Sequence, residues 1–152
     1  MKKFNIYVVI IIIILFFAIM SLGLGFFNYL LDDRNIIKGY YKAEEHFDPF
    51  ATQDSVDYCK YYYTNEYDLI FADRYKKISN ENINDIKEYF SKYREYMDAG
   101  DRLNEYDFDE NIIDSNDFYI LHNKSNYKKF EYFTIYFYDV NNHVLYYVHA
   151  NI

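Results

Sequence analysis

"FEYFTIYFYDVNNHVLYYVHANI", residues 130–152, decides how this chain folds, because six of the ten side chains from 130 to 139 are aromatic and polar positions alternate with them. Asn tolerates positive φ, so Asn141 and Asn142 predict a two-residue turn that fixes the pairing of a hairpin. On one side Phe133 then faces Ala150, Ile135 faces Val148 and Phe137 faces Tyr146. On the other, Thr134 faces His149, Tyr136 faces Tyr147 and Tyr138 faces Leu145, with Tyr132 extending the row. A slip of one residue would mix the two sets. The register is therefore predicted by the separation of a hydrocarbon face from a hydroxyl-and-imidazole face.

A hydrocarbon face needs a cover. In residues 80–98, Ile83, Ile86, Phe90, Tyr93 and Met97 recur at helical spacing within a stripe of roughly 80°. Glu88 and Lys92 form a favourable pair one turn apart. Ser79 suits the N-cap and Gly100 the stop. "DFYILH", residues 117–122, offers a third strand ahead of the loop "NKSN". The expected domain is thus α+β, a long amphipathic helix packed on a three-stranded antiparallel sheet. Residues 54–63, "DSVDYCKYYY", fit a short helix opened by Asp54, with Val56, Cys59 and Tyr63 on one face, or a strand.

Ahead of this domain, no charged residue occurs from Phe4 to Leu31. A crossing of the hydrocarbon core takes about 20 apolar residues, so residues 1–31 read as an N-terminal transmembrane helix that also serves as signal anchor. The competing reading is a cleaved secretory signal, with Lys2 and Lys3 as its basic start and Ser21-Leu22-Gly23 as the processing site. Against cleavage, the apolar run continues through "LGFFNYLL". Lys and Arg flank both ends of the run, so the positive-inside count is not decisive. The short basic start places the N-terminus in the cytoplasm. Residues 32–53 then form a juxtamembrane connector and residues 54–152 the extracytoplasmic domain.

With Lys2 and Lys3 set aside, 14 of the 16 Lys and Arg side chains lie beyond the apolar run with all 24 Asp and Glu, a formal charge of −10. That balance, without a basic stripe, argues against nucleic acid and against a polybasic grip on anionic lipid. Cys59 is the single cysteine, so no internal disulfide exists. Disulfide-free extracytoplasmic domains of this size suit a bacterial envelope. The 21 tyrosines are also what AT-rich coding would supply.

From about Val56 onward, "CKYYY", "RYKKISNENINDIKEYF", "DRLNEYDFD" and "YFYDVNNHVLYYVHANI" resemble small single-span membrane proteins of low-GC Gram-positive bacteria, a group without an assigned activity. The resemblance covers roughly two thirds of the chain. It implies an envelope setting and carries over no functional residue.

Motifs for chemistry fail one by one. Asp107, Asp109 and Asn111 match the first ligand positions of a calcium loop, but Ile112 stands where Gly is needed and Phe118 where a bidentate Glu is needed. His143 and His149 lie roughly 20 Å apart along a strand, too far to share an ion whose ligands sit at about 2 Å. His46 and His122 have no partner at a ligand spacing. Cys59 has neither a nearby His nor a Cys-x-x-Cys partner, and reads as a small buried hydrophobe. Asp48 and Asp139 make no carboxylate pair, and no G-x-S-x-G or S-x-x-K motif occurs. The sequence offers no catalytic residue, metal ligand or cofactor site.

What remains is the row Tyr132, Tyr136, Tyr138, Tyr147 and His149, a candidate interaction surface of rings with polar tips. Alternatively, residues 54–75 pack over it as a second core layer. The expected function is a single-pass cell-membrane protein whose non-enzymatic extracytoplasmic domain binds a protein or an envelope component. Alternatives are an immunity or accessory protein of a toxin or export system, or an enzyme whose site is assembled from scattered residues. Register is directly testable: a Thr134→Cys/His149→Cys pair should cross-link readily on oxidation, and faster cross-linking of Ile135→Cys/His149→Cys would refute the pairing.

Overall fold

The computed structural model describes residues 37–47, 55–124 and 128–152. Residues Gly39–Ile152 form one compact unit. Eight regular elements follow in order: β1 Lys42–His46, β2 Ser55–Tyr62, α1 Asp68–Arg74, β3 Lys76–Lys77, α2 Ile83–Ala99, β4 Phe118–Asn123, β5 Tyr132–Asp139 and β6 Val144–Asn151. All strand pairs are antiparallel, in the order β1-β2-β6-β5-β4-β3.

The β5–β6 register is the one the alternation demands, with Phe133 opposite Ala150, Thr134 opposite His149 and Tyr136 opposite Tyr147. The turn differs. Pairing stops at Asp139 and Val144, and the left-handed residue is His143 at φ 55° rather than either Asn. Asp139 explains this. Its carboxylate accepts hydrogen bonds from the backbone N–H of Asn141 and Asn142 and from the Asn142 side chain, so a four-residue loop is tied to the last residue of β5.

The three-stranded sheet expected from sequence is corrected to six strands. β2 adds to the far side of β6, with Val56 opposite Ala150 and Tyr58 opposite Val148. β1 pairs outside it, inside the stretch read as connector. β3 adds two residues outside β4. Residues 55–62 are thus strand and not helix, because their alternation fits two covered faces of a central strand. The transmembrane helix expected over residues 1–31 lies outside the described residues, and among those described no helix is long and apolar enough to cross a membrane.

On the hydrocarbon face, α2 buries Ile86, Tyr89, Phe90, Tyr93 and Met97. They pack into one core with Phe133, Ile135, Phe137, Val148, Ala150, Val56 and Tyr58. The helix starts at Ile83, with Asn82 in the N-cap place expected of Ser79. Ser79 instead opens a preceding turn, its N–H held by the Asn82 side chain and its carbonyl accepting from Asn82 and Ile83.

The acidic stretch after α2 closes this core from the side. Phe108 stacks on Phe90 at 4.0 Å between ring centroids and meets Phe137 edge-on at 5.6 Å. Arg94 reaches the Phe108 carbonyl and the Glu110 carboxylate, while Arg102 donates to the Val56 carbonyl at 2.8 Å. Asp107 accepts from Tyr58 at 2.8 Å and from Lys60 at 2.6 Å. Its charge is consumed in holding the loop to β2.

Two fully buried carboxylates brace the end of the sheet. Asp139 caps the β5–β6 loop, and Asp117 accepts from the backbone N–H of Asp114 at 2.8 Å and of Val140 at 3.1 Å. Burial, reinforced by the neighbouring charges of Asp114 and Asp139, raises the Asp117 carboxyl from 3.8 to about 6, against the pull of those two amides. A carboxyl whose folded value is raised contributes stability that is full below its unfolded value and is lost as pH rises through about 6. Relative to Asp117→Asn, the wild type should therefore gain on the order of 1 kcal/mol between about pH 7 and about pH 5. Urea midpoints at the two pH values check this; a difference that does not change, or falls, would contradict it.

Candidate functional site

The second face of the sheet carries the row Tyr132, Tyr136, Tyr138, Tyr147 and His149. Strand alternation puts all five on one side, and β4 and β2 extend that side in both directions. Tyr136 lies between Ile120 and Tyr147, with Cys59 beyond Tyr147. Thr134 lies between His122 and His149, with Asp57 beyond His149. A row His122–Thr134–His149–Asp57 thus crosses four strands.

The row divides into a covered and a half-covered end. At the covered end, α1 presents Phe71, fully buried, whose ring stacks on Tyr138 at 3.9 Å. The Tyr138 hydroxyl donates to the Asp68 carboxylate at 2.6 Å, and His143 Nδ1 lies 2.9 Å from the same oxygen. Tyr63 and Tyr75 complete the cluster, meeting Phe71 edge-on at 5.1 Å each. Tyr138 is therefore a core residue.

Residues 54–75 do two different things here. β2 lies beside β6 and widens the face, because its backbone pairs with the strand edge. α1 lies over the face, because Phe71 offers the apolar side that a strand partner would not. Hence Tyr138 is covered while Tyr132, Tyr147 and His149 are half-buried and His122 is exposed.

At this second end the side chains interlock. Tyr136, 4% exposed, meets Tyr147 at 5.2 Å and His122 at 6.3 Å. Thr134 Oγ1 and His149 Nδ1 are 2.9 Å apart. Tyr132 packs edge-on against the imidazole at 5.3 Å, and the Lys124 ammonium lies 3.8 Å over the Tyr132 ring. Cys59, beside Tyr147 on the same face, is fully buried, and burial pushes its thiol up to about 12, so it is no nucleophile near neutrality.

Burial holds the His149 imidazole below its ordinary value, with Lys124 adding to the effect and Asp57 opposing it. The neutral ring offers one donor and one acceptor. A hydroxyl, an imidazole and a carboxylate in sequence invite comparison with a catalytic triad. Here, however, they lie side by side in the plane of a sheet, where backbone N–H groups are engaged in strand ladders rather than aimed at a developing oxyanion. Among the described residues, no three His, Cys, Asp or Glu side chains are grouped to hold a metal.

Comparison with family models, with curated proteins and with solved structures gives no match.

Sequence alone brought out the five members of the row but not Asp57 or His122. Both enter through the β2–β6 and β4–β5 registers, which no turn of fixed length sets. The alternation in "SVDYCKYY", Ser55–Tyr62, was the available signal.

An NMR titration should find His149 below the ordinary histidine value of 6.5. Lys124→Gln should move it up and Asp57→Asn should move it down, as the sign of each removed charge requires. Because the folded value is lowered, the stability contributed by this neutral imidazole is present above 6.5 and lost as pH falls below it. A His149 titrating above 6.5 would reverse the assignment.

Proposed function

We propose that the protein is a single-pass cell-membrane protein whose extracytoplasmic domain is a binding module and not an enzyme. Its target is another protein or an envelope component. The observation that carries the reading is the half-buried end of the tyrosine row, where Tyr132, Tyr147, His149 and exposed His122 present rings with polar tips. Such side chains bury large area at low entropic cost while keeping a hydrogen bond available, which is why they concentrate in recognition surfaces.

The uncharged stretch from Phe4 to Leu31 supports attachment to a membrane, and the short basic start supports a cytoplasmic N-terminus. The surplus of acidic groups beyond it disfavours nucleic acid as target. A bacterial envelope suits a chain of this kind with one cysteine.

A photo-cross-linking benzophenone side chain placed at Tyr147 of the full-length protein in living cells tests the reading. Adducts of discrete mass should form there and be reduced at least about fivefold by Tyr132→Ala, since truncating a central aromatic anchor commonly costs more than about 1 kcal/mol of binding. The same probe at Glu95, on the outer side of α2, should give none. Equal adducts at both positions, or none at Tyr147, would reject a binding role for this face.

A further inference from the structure

A second surface stands apart from the tyrosine row. The outer side of α1 exposes Leu69 at 81% and Ile70 at 40%, although Phe71 beside them is fully buried. Exposing two aliphatic side chains on a seven-residue helix is no requirement of the fold, because Phe71 and Asp68 already anchor α1 to Tyr138.

Tyr40, exposed at 40%, joins this patch through the tyrosines on the α1 side, whereas the ring of Tyr41 meets Tyr62. Tyr40 meets Tyr63 edge-on at 6.4 Å, and Tyr63 meets both Tyr67 and Phe71 at 5.1 Å. Gly39, at φ +91°, lets the chain pass so close to Tyr67 that a Cβ would overlap the Tyr67 hydroxyl. That approach brings the chain just before Tyr40 onto Tyr67, the residue from which α1 starts. Aliphatic and tyrosine side chains therefore share one end of the domain.

Chain length narrows what can lie against them. Only residues 32–39 separate Leu31, the last residue of the uncharged apolar run, from Tyr40. Eight residues at full extension reach no more than about 30 Å. If the apolar run sits in a bilayer, as proposed above, the Tyr40 end of the domain is confined to the neighbourhood of the lipid headgroups.

We infer that Tyr40, Leu69 and Ile70 form a membrane-contact surface that dips into the lipid interface. Aliphatic tips enter the acyl boundary while tyrosine hydroxyls stay among the headgroups, the arrangement in which amphipathic rings concentrate at interfaces. The partner is the apolar margin of the bilayer and not its charge. Charge beside the patch is mixed, Asp68 and Asp73 standing next to Arg74, Lys76 and Lys77, so the attraction argued here is that of apolar surface.

This inference depends on the membrane reading, and one experiment separates the two. The chain contains no Trp, so Leu69→Trp or Tyr40→Trp introduces a single reporter, and Ser91→Trp on exposed α2 serves as control. Each full-length variant is reconstituted into phosphatidylcholine vesicles with or without lipids brominated along the acyl chain. Flotation reports attachment, and bromine quenches only an indole within the acyl boundary, about 5–10 Å deep. Leu69→Trp and Tyr40→Trp emission should fall at least about twofold in brominated vesicles, and Ser91→Trp by less than about a tenth. Flotation with no quenching at either patch position overturns the inference and spares the membrane reading. Failure to float removes both. Blue-shifted patch emission that bromine does not quench means that protein covers the patch, which also overturns the inference.

Discussion

The separation of the β5–β6 hairpin into a hydrocarbon side and a hydroxyl side is the constraint on which the rest of the domain depends. Because side chains alternate strictly, Phe133, Ile135 and Phe137 cannot face α2 unless Thr134, Tyr136 and Tyr138 face the other way. That single choice demands two covers of different chemistry. α2 supplies an aliphatic and aromatic stripe for the first, with Phe90 and Tyr93 over Phe137 and Phe133. α1 supplies Phe71 and a carboxylate for the second, and its short length leaves the far end of the row half-buried.

Charge is spent in two ways. In the loop after α2, Asp107, Glu110 and Glu105 are matched by Lys60, Arg94 and Arg102, so this acidic segment is fastened to β2 and α2. Ion pairs this near the surface contribute little singly, but each here is joined by a hydrogen bond to a buried neighbour, such as Tyr58 or the Val56 carbonyl. By contrast, Asp117 and Asp139 are buried and hold backbone amides of the β5–β6 loop and its neighbours. The first arrangement orders a loop; the second fixes where a hairpin turns.

The same division separates the two surfaces to which roles are given. Rings with hydrogen-bonding tips suit a target with polar groups to match. Leu69 and Ile70 can make no hydrogen bond, so water leaves them only for an apolar neighbour. The two proposed roles therefore draw on different chemistry.

Local rules determined much of this from sequence. The register of β5–β6, the stripe of α2 and a strand near Phe118 follow from periods of two and 3.6 residues that a single segment contains. The turn at Asn141 and Asn142 was misread in detail because the decisive group, the Asp139 carboxylate, acts from outside the two-residue signal. The sheet's other members were not legible, because β1 and β3 are short strands and β2, though as long as β5, joins β6 from far along the chain with no local turn to enforce the pairing. β2 could have been helix or strand until β6 offered it an edge. Which tyrosines form core and which form surface was likewise decided only by tertiary structure. Tyr138 and Tyr147 have the same side chain on the same face, and only the reach of α1 buries the first while leaving the second half-exposed.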